Sequence, residues 1–228
     1  APPDTLNVLK GSSMSDPIVL QEDEAPIGPS SLSNRLHIRI ARYISAILSP
    51  IVVSLPSVLL VALYHERNQF TVALNTFLTL FFLSIGPMIY ILVGVRLGKF
   101  SDVDVSDRTQ RSGPYIFGII SAFIGFLILS LIHGPKNLQT ILLLTVIIGM
   151  IMMIITLWWK ISVHASSMAG VATMLTALYG VIMLPAFALV VLVGWSRVVL
   201  RRHTLAQVIA GSFLNIALTA IVLMIRGI

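Results

Sequence analysis

Carboxylates run out early in this chain. All nine Asp and Glu residues lie at or before Asp107, and none follows it. Cysteine is absent, which excludes a disulfide framework and any thiolate metal site. Charge of either sign is scarce: 11% of the 228 residues are charged, where a soluble domain carries about 25%. With 57% hydrophobic residues and a mean hydropathy of +0.96, the chain has too little polar surface to face water on all sides. Soluble globular, disordered and collagenous classes are excluded, and an all-α, multi-pass transmembrane bundle remains. The net charge is +6. The basic residues sit at the ends of apolar stretches, where they anchor helices or meet lipid headgroups and phosphates, so membrane lipids are the expected partners and nucleic acid is not.

Residues 1–34 are rich in Pro, Ser, Asp and Glu, include the run Glu22-Asp23-Glu24, and lack apolar periodicity. They predict a polar, largely unstructured N-terminal tail, a candidate docking arm for partner subunits. Residues 35–228 form the transmembrane domain. A spanning helix needs about 20 mostly apolar residues, and seven segments approach that length, near 43–64, 70–97, 115–132, 138–159, 165–183, 185–195 and 204–225. Six to seven spans are therefore expected. Pro50 and Pro56 should kink the first, and Gly86-Pro87 should bend the overlong second.

If each segment crosses once, the polar breaks near 99–114, 160–164 and 196–203 all fall on the face that carries the N-terminal tail. Twelve of the 15 Lys and Arg residues lie on that face, which the positive-inside rule assigns to the cytoplasm or its organellar equivalent. The opposite turns, 65–68, 133–137 and 180–185, are short and carry few charges. The spans hold almost no ionisable residue at mid-depth, which argues against a channel or transporter.

The last of these breaks reads Ser196-Arg197, five residues, His203, three residues, Gln207. The middle one reads Ser162-Val163-His164, followed by small residues. A phosphate dianion needs forked cationic donors, and an imidazole near neutrality can attack phosphorus or pass a proton. Each residue also has a plainer reading. His203 can be an interfacial anchor and His164 a helix-packing polar group. Arg108 and Arg111 can pair with Asp104 and Asp107, and Arg201 and Arg202 can anchor headgroups.

These patterns resemble the type 2 phosphatidic acid phosphatase superfamily, which also contains glucose-6-phosphatase and vanadium haloperoxidases. Its third signature, Ser-Arg-x5-His-x3-Asp, is matched by Ser196, Arg197 and His203, with Gln207 in the Asp slot. Its second, Pro-Ser-Gly-His, is matched by Ser162 and His164, with Ile161 and Val163 in the Pro and Gly slots. Its first, Lys-x6-Arg-Pro, is matched loosely: Lys99 stands nine positions before Arg108, and alignment on Arg111 puts Asp104 in the Lys slot. The resemblance covers residues 70–225. It implies a phosphatase core in which His203 forms a phosphohistidine and His164 protonates the leaving group. Arg197, Arg108, Arg111 and Lys99 would hold phosphate oxygens, with Lys160 as a further charge. Ser162 would donate to a phosphoryl oxygen, and Gln207 would orient His203. The scheme needs no metal or other cofactor. The implied substrate is a lipid phosphate or prenyl diphosphate; the alternative is a weakened or inactive structural subunit of the same fold in a larger membrane complex.

Overall fold

The computed structural model describes residues 29–64 and 68–228, with side chains from Arg35 onward. The expected tail up to residue 28, and residues 65–67 of the first far turn, lie outside the described residues. Proline and serine set the first break. Helix α1, Pro29–Ile47, starts inside the expected tail and stops before Pro50, whose ring blocks continuation and which has no N–H to offer. Ser49 then caps α2, Pro50–Leu63, and the two axes differ by 43°. Pro56 lies inside α2 without ending it.

Asn68 opens α3, Gln69–Leu80, its Oδ1 accepting from the N–H groups of Phe70 (3.0 Å) and Thr71 (3.2 Å). Pro87 cannot donate to the carbonyl one turn back. A π-helical turn at Phe81–Ile85 absorbs that defect, and the Gly86 N–H reaches the Phe81 carbonyl. The helix continues as α4, Gly86–Arg96, so the overlong second segment is one 28-residue span with a π turn just before Gly86-Pro87. Then follow α5, Ser112–Leu131; α6, Lys136–Trp158; α7, Val163–Tyr179, extended by a 3₁₀ turn at Gly180–Met183; α8, Ala186–Val199; and α9, Leu205–Arg226. Among the described residues there is no strand, and the fold is all-α.

Among the described residues, five helices are long and apolar enough to cross a membrane, or six if the bent α1–α2 pair is one span. The expected sixth segment, near 185–195, is α8. Its 14 residues rise roughly 21 Å, short of a hydrocarbon layer of about 30 Å. The turn joining α7 to α8 is apolar and exposed: Val181 is 81% and Ile182 72% accessible.

The bundle is greasier outside than in. Phe70, Phe213 and Ile225 point outward, whereas Ser54, Ser57, Thr79, Ser84, Ser166, Asn215 and Thr219 are buried. Small and polar residues let helices approach closely and bond across their interfaces. Ser84 Oγ donates to Ser54 Oγ at 2.8 Å, tying the π turn to α2. Asn215 of α9 donates to Ser166 Oγ of α7 at 3.0 Å and accepts from Thr219 at 2.9 Å. Gly211 of α9 lies directly against the α6–α7 connection. A Cβ there would stand 2.8 Å from the Ser162 carbonyl oxygen, a backbone atom that cannot swing aside. Gly211→Ala is therefore expected to cost about 1–3 kcal/mol by overpacking, read as a lower unfolding temperature of the detergent-solubilised protein.

The chain alternates in direction, so α2, α5, α7 and α9 begin, and α4, α6 and α8 end, at one end of the bundle. The polar breaks 99–114, 160–164 and 196–203 meet there. Arg111 bonds to Ile161, Arg197 to Asp104, and Ser162 to Gln207.

Candidate functional site

The α4–α5 loop is folded around Asp102. Its carboxylate accepts from the Ser106 N–H (3.2 Å) and Oγ (3.1 Å), and its carbonyl accepts from the Val105 N–H at 3.0 Å. The tight turn forces Val105 to φ 45, left-handed space that costs a β-branched residue about 1–3 kcal/mol. Burial of the Val105 side chain helps to hold it there. So does its carbonyl, which accepts from Arg111 Nε at 2.9 Å. The same turn presents Asp104 to the end of α8.

Arg197, in the last turn of α8, is 3% exposed. Its Nη1 donates to Ser45 Oγ of α1 at 2.8 Å and to Asp104 Oδ2 at 3.1 Å, while among the described residues its buried Nε has no hydrogen-bond partner. Arg111 is also buried, with Nη1 3.4 Å from the Ile161 carbonyl. Burial disfavours charge on Asp104. The positive charge of Arg197 and its hydrogen bond, with His164 and Arg202 nearby, outweigh that and hold the carboxyl below the usual carboxylate range.

His203 follows α8 in a turn that is fastened to Arg197. The backbone N–H groups of Arg202 and His203 both reach the Arg197 carbonyl, at 3.0 and 3.3 Å. Thr204 caps α9 and forms a capping box with Gln207. The box fixes the chemistry of the histidine. Gln207 Oε1 accepts from the Thr204 N–H at 3.1 Å, so that atom is the amide oxygen. It lies 3.3 Å from His203 Nδ1. Nδ1 must then carry the proton, which leaves the Nε2 lone pair free. Burial of His203, followed by the charges of Arg197, Lys160 and Arg111, pushes its pKa down to about 3. The ring is therefore neutral across the physiological range.

These groups line one cavity of about 810 Å³. Its polar wall carries Asp104, Arg111, His164, Arg197, Arg202 and His203, and the α1–α2 junction closes it with Arg42, Ser45 and Ser49. Four of the sequence-predicted site residues, His203, His164, Arg197 and Arg111, thus share a cavity, with Gln207 directly behind His203. Three others are not in its wall. Ser162 is fully buried as the N-cap of α7, accepting from the Ala165 N–H at 3.4 Å. Arg108 is exposed and staples the loop to α6 through the Leu157 carbonyl at 3.1 Å, a favourable place for a cation at a helix C-terminus. Lys99 is exposed just beyond the end of α4. Ser162, Arg108 and Lys99 thus stand at a helix cap, a loop staple and the surface, apart from the wall that holds the other four.

Sequence reasoning placed Arg202 among headgroup anchors, yet Arg202 lines the cavity and donates to Ser106 Oγ. Ser45 and Arg42 were also missed. Their spacing of three on α1 puts both on one helical face, the available signal. No protein-family model, curated protein or solved structure significantly matches this chain.

Gln207→Glu tests the histidine's environment, since a glutamate keeps the capping box. A carboxylate beside Nδ1 favours imidazolium, so the His203 pKa should rise from about 3 toward 6.5, read by ¹⁵N NMR in detergent micelles. In the wild type the unfolded ring takes up its proton near pH 6.5 and the folded ring only near 3. Stability is therefore lost as pH falls through that window, and Gln207→Glu should make the loss shallower.

Proposed function

We propose that this protein is a membrane-embedded phosphatase resembling the type 2 phosphatidic acid phosphatases, acting on a lipid phosphate or prenyl diphosphate through a phosphohistidine. The observation that carries this reading is the pairing, in one cavity, of two buried guanidiniums with two histidines, the Nε of Arg197 still lacking an acceptor among the described residues. Buried cations with donors to spare suit a phosphate dianion better than any neutral ligand.

Phosphate oxygens would sit on Arg197 and Arg111. His203 Nε2 attacks phosphorus, the N–P bond forms, and the P–O bond to the lipid breaks with its electron pair on the departing oxygen. The bound phosphate dianion favours the charged form of His164, and this imidazolium gives that oxygen a proton and is left neutral. His164 then takes a proton from water as the water oxygen attacks phosphorus, the N–P bond breaks, and inorganic phosphate leaves with His203 neutral again. Gln207 holds the Nδ1 proton throughout. An amide stabilises the charged phosphohistidine less than a carboxylate would; in serine proteases the corresponding Asp→Asn change costs about 10⁴ in kcat. One observation favours the alternative, a structural subunit without turnover: the Asp104 carboxylate already occupies Arg197, where a phosphate oxygen would bind.

Phosphate release from phosphatidate and farnesyl diphosphate, with chelator present, distinguishes the two. The phosphatase reading expects turnover by the wild type and a loss of at least about 10³-fold in His203→Ala. Equal turnover by both overturns it, and no turnover on either lipid favours the structural subunit. Asp104→Asn removes a negative charge from the anion's place and should tighten inhibition by inorganic phosphate about tenfold, or about 1.4 kcal/mol.

A further inference from the structure

A second cavity, of about 300 Å³, lies inside the bundle beneath the polar one. The two are neighbours: Pro50, Leu83, Ser84, Pro114, Tyr115 and Val163 belong to the walls of both. From that shared neck the inner cavity extends between α2, α5, α6, α7 and α9, as far as Val61, Ile141 and Met174.

Its wall is mostly apolar, and apart from the buried Tyr115 hydroxyl at the neck, which lacks a hydrogen-bond partner among the described residues, its main polar groups are bonded to protein. Ser54 donates to the Ile51 carbonyl and accepts from Ser84; Ser57 donates to the Val53 carbonyl; Thr145 donates to the Ile141 carbonyl. Ser166, Asn215 and Thr219 bond among themselves. These hydroxyls and amides are engaged with protein, so the space offers few partners to water and suits hydrocarbon. Gly118 of α5 completes the opening: a Cβ there would meet no atom within 4 Å.

We infer that the inner cavity is a binding site for one hydrocarbon chain of the phosphorylated lipid whose headgroup sits at Arg197 and His203, an inference that rests on the phosphatase reading for its headgroup end. At about 300 Å³ the space is at the small end of ligand pockets, so it takes a single prenyl or acyl chain and not the two chains of a diacyl lipid. The chain enters through the neck between Pro50, Leu83 and Pro114. The site therefore selects single-chain lipid phosphates by drawing the tail into the protein.

The test uses the full chain in nanodiscs and a farnesyl diphosphate analogue with a photoreactive benzophenone at its far end. Labelling is expected at Ile141, Thr145 or Met174, competed by farnesyl diphosphate and not by equimolar dioleoyl phosphatidate. It should fall about tenfold in Gly118→Leu and in Thr145→Leu, two independent ways of filling the cavity. Gly118→Leu should also lower kcat/KM for farnesyl diphosphate about tenfold while leaving p-nitrophenyl phosphate hydrolysis unchanged. Labelling confined to the lipid-facing Phe117 and Ile120, labelling unaffected by both substitutions, or equal competition by phosphatidate overturns the inference. Labelling does not depend on turnover, so an inactive wild type that labels in the interior would keep the chain site and remove the phosphatase reading.

Discussion

Two guanidinium groups that cannot give up their protons are buried at one end of a helical bundle, and much of that end is arranged to satisfy them. Arg111 takes the carbonyls of Val105 and Ile161, and Arg197 takes Ser45 and Asp104. Three chain segments far apart in sequence are pinned together by these bonds: the α1 helix, the α4–α5 loop and the α6–α7 connection. The strain at Val105 is part of the cost, because the backbone turn that strains it also aims its carbonyl at Arg111 and its neighbour Asp104 at Arg197. Their positive field also explains why a buried histidine beside them stays neutral and keeps a lone pair available.

The helical membrane class was legible from composition, and the long helices from their apolar runs. The meeting of the three polar breaks follows from the expectation that two apolar segments lie between each and the next, and it holds although α8 is too short to cross a hydrocarbon layer. Less legible were features that depend on exact backbone paths. Ser162 reads equally well as a ligand donor and as a helix cap, and only the orientation of α7 decides between them. Arg108 and Arg111 are three apart with similar neighbours, yet a 3₁₀ turn sends one outward to Leu157 and the other into the interior. The apolar run near 185–195 reads from hydropathy as a crossing, but hydropathy does not register that the 14 residues of α8 rise only roughly 21 Å.

Asp104 and Gln207 are informative together. An amide stands behind His203, and a carboxylate stands in front of Arg197. The cavity's negative charge thus lies on the Arg197 side, away from Gln207. Behind His203 the amide preserves orientation through the capping box without adding charge. In front of Arg197 the carboxylate offsets a cation that would otherwise lie buried with too few partners, and it competes with any incoming anion.

The apolar turn between α7 and α8 ties this chemistry to the surrounding bilayer. A hairpin whose return arm rises only roughly 21 Å, and whose tip exposes valine and isoleucine, cannot place both its tip and Arg197 in water across an ordinary hydrocarbon layer. Either the bilayer pinches inward around the hairpin or the arginine end is drawn below the headgroup plane, and the penalty for either grows with membrane thickness. Sterol content and acyl-chain length thereby become physical variables acting on the depth of the arginine cavity, with no ligand involved.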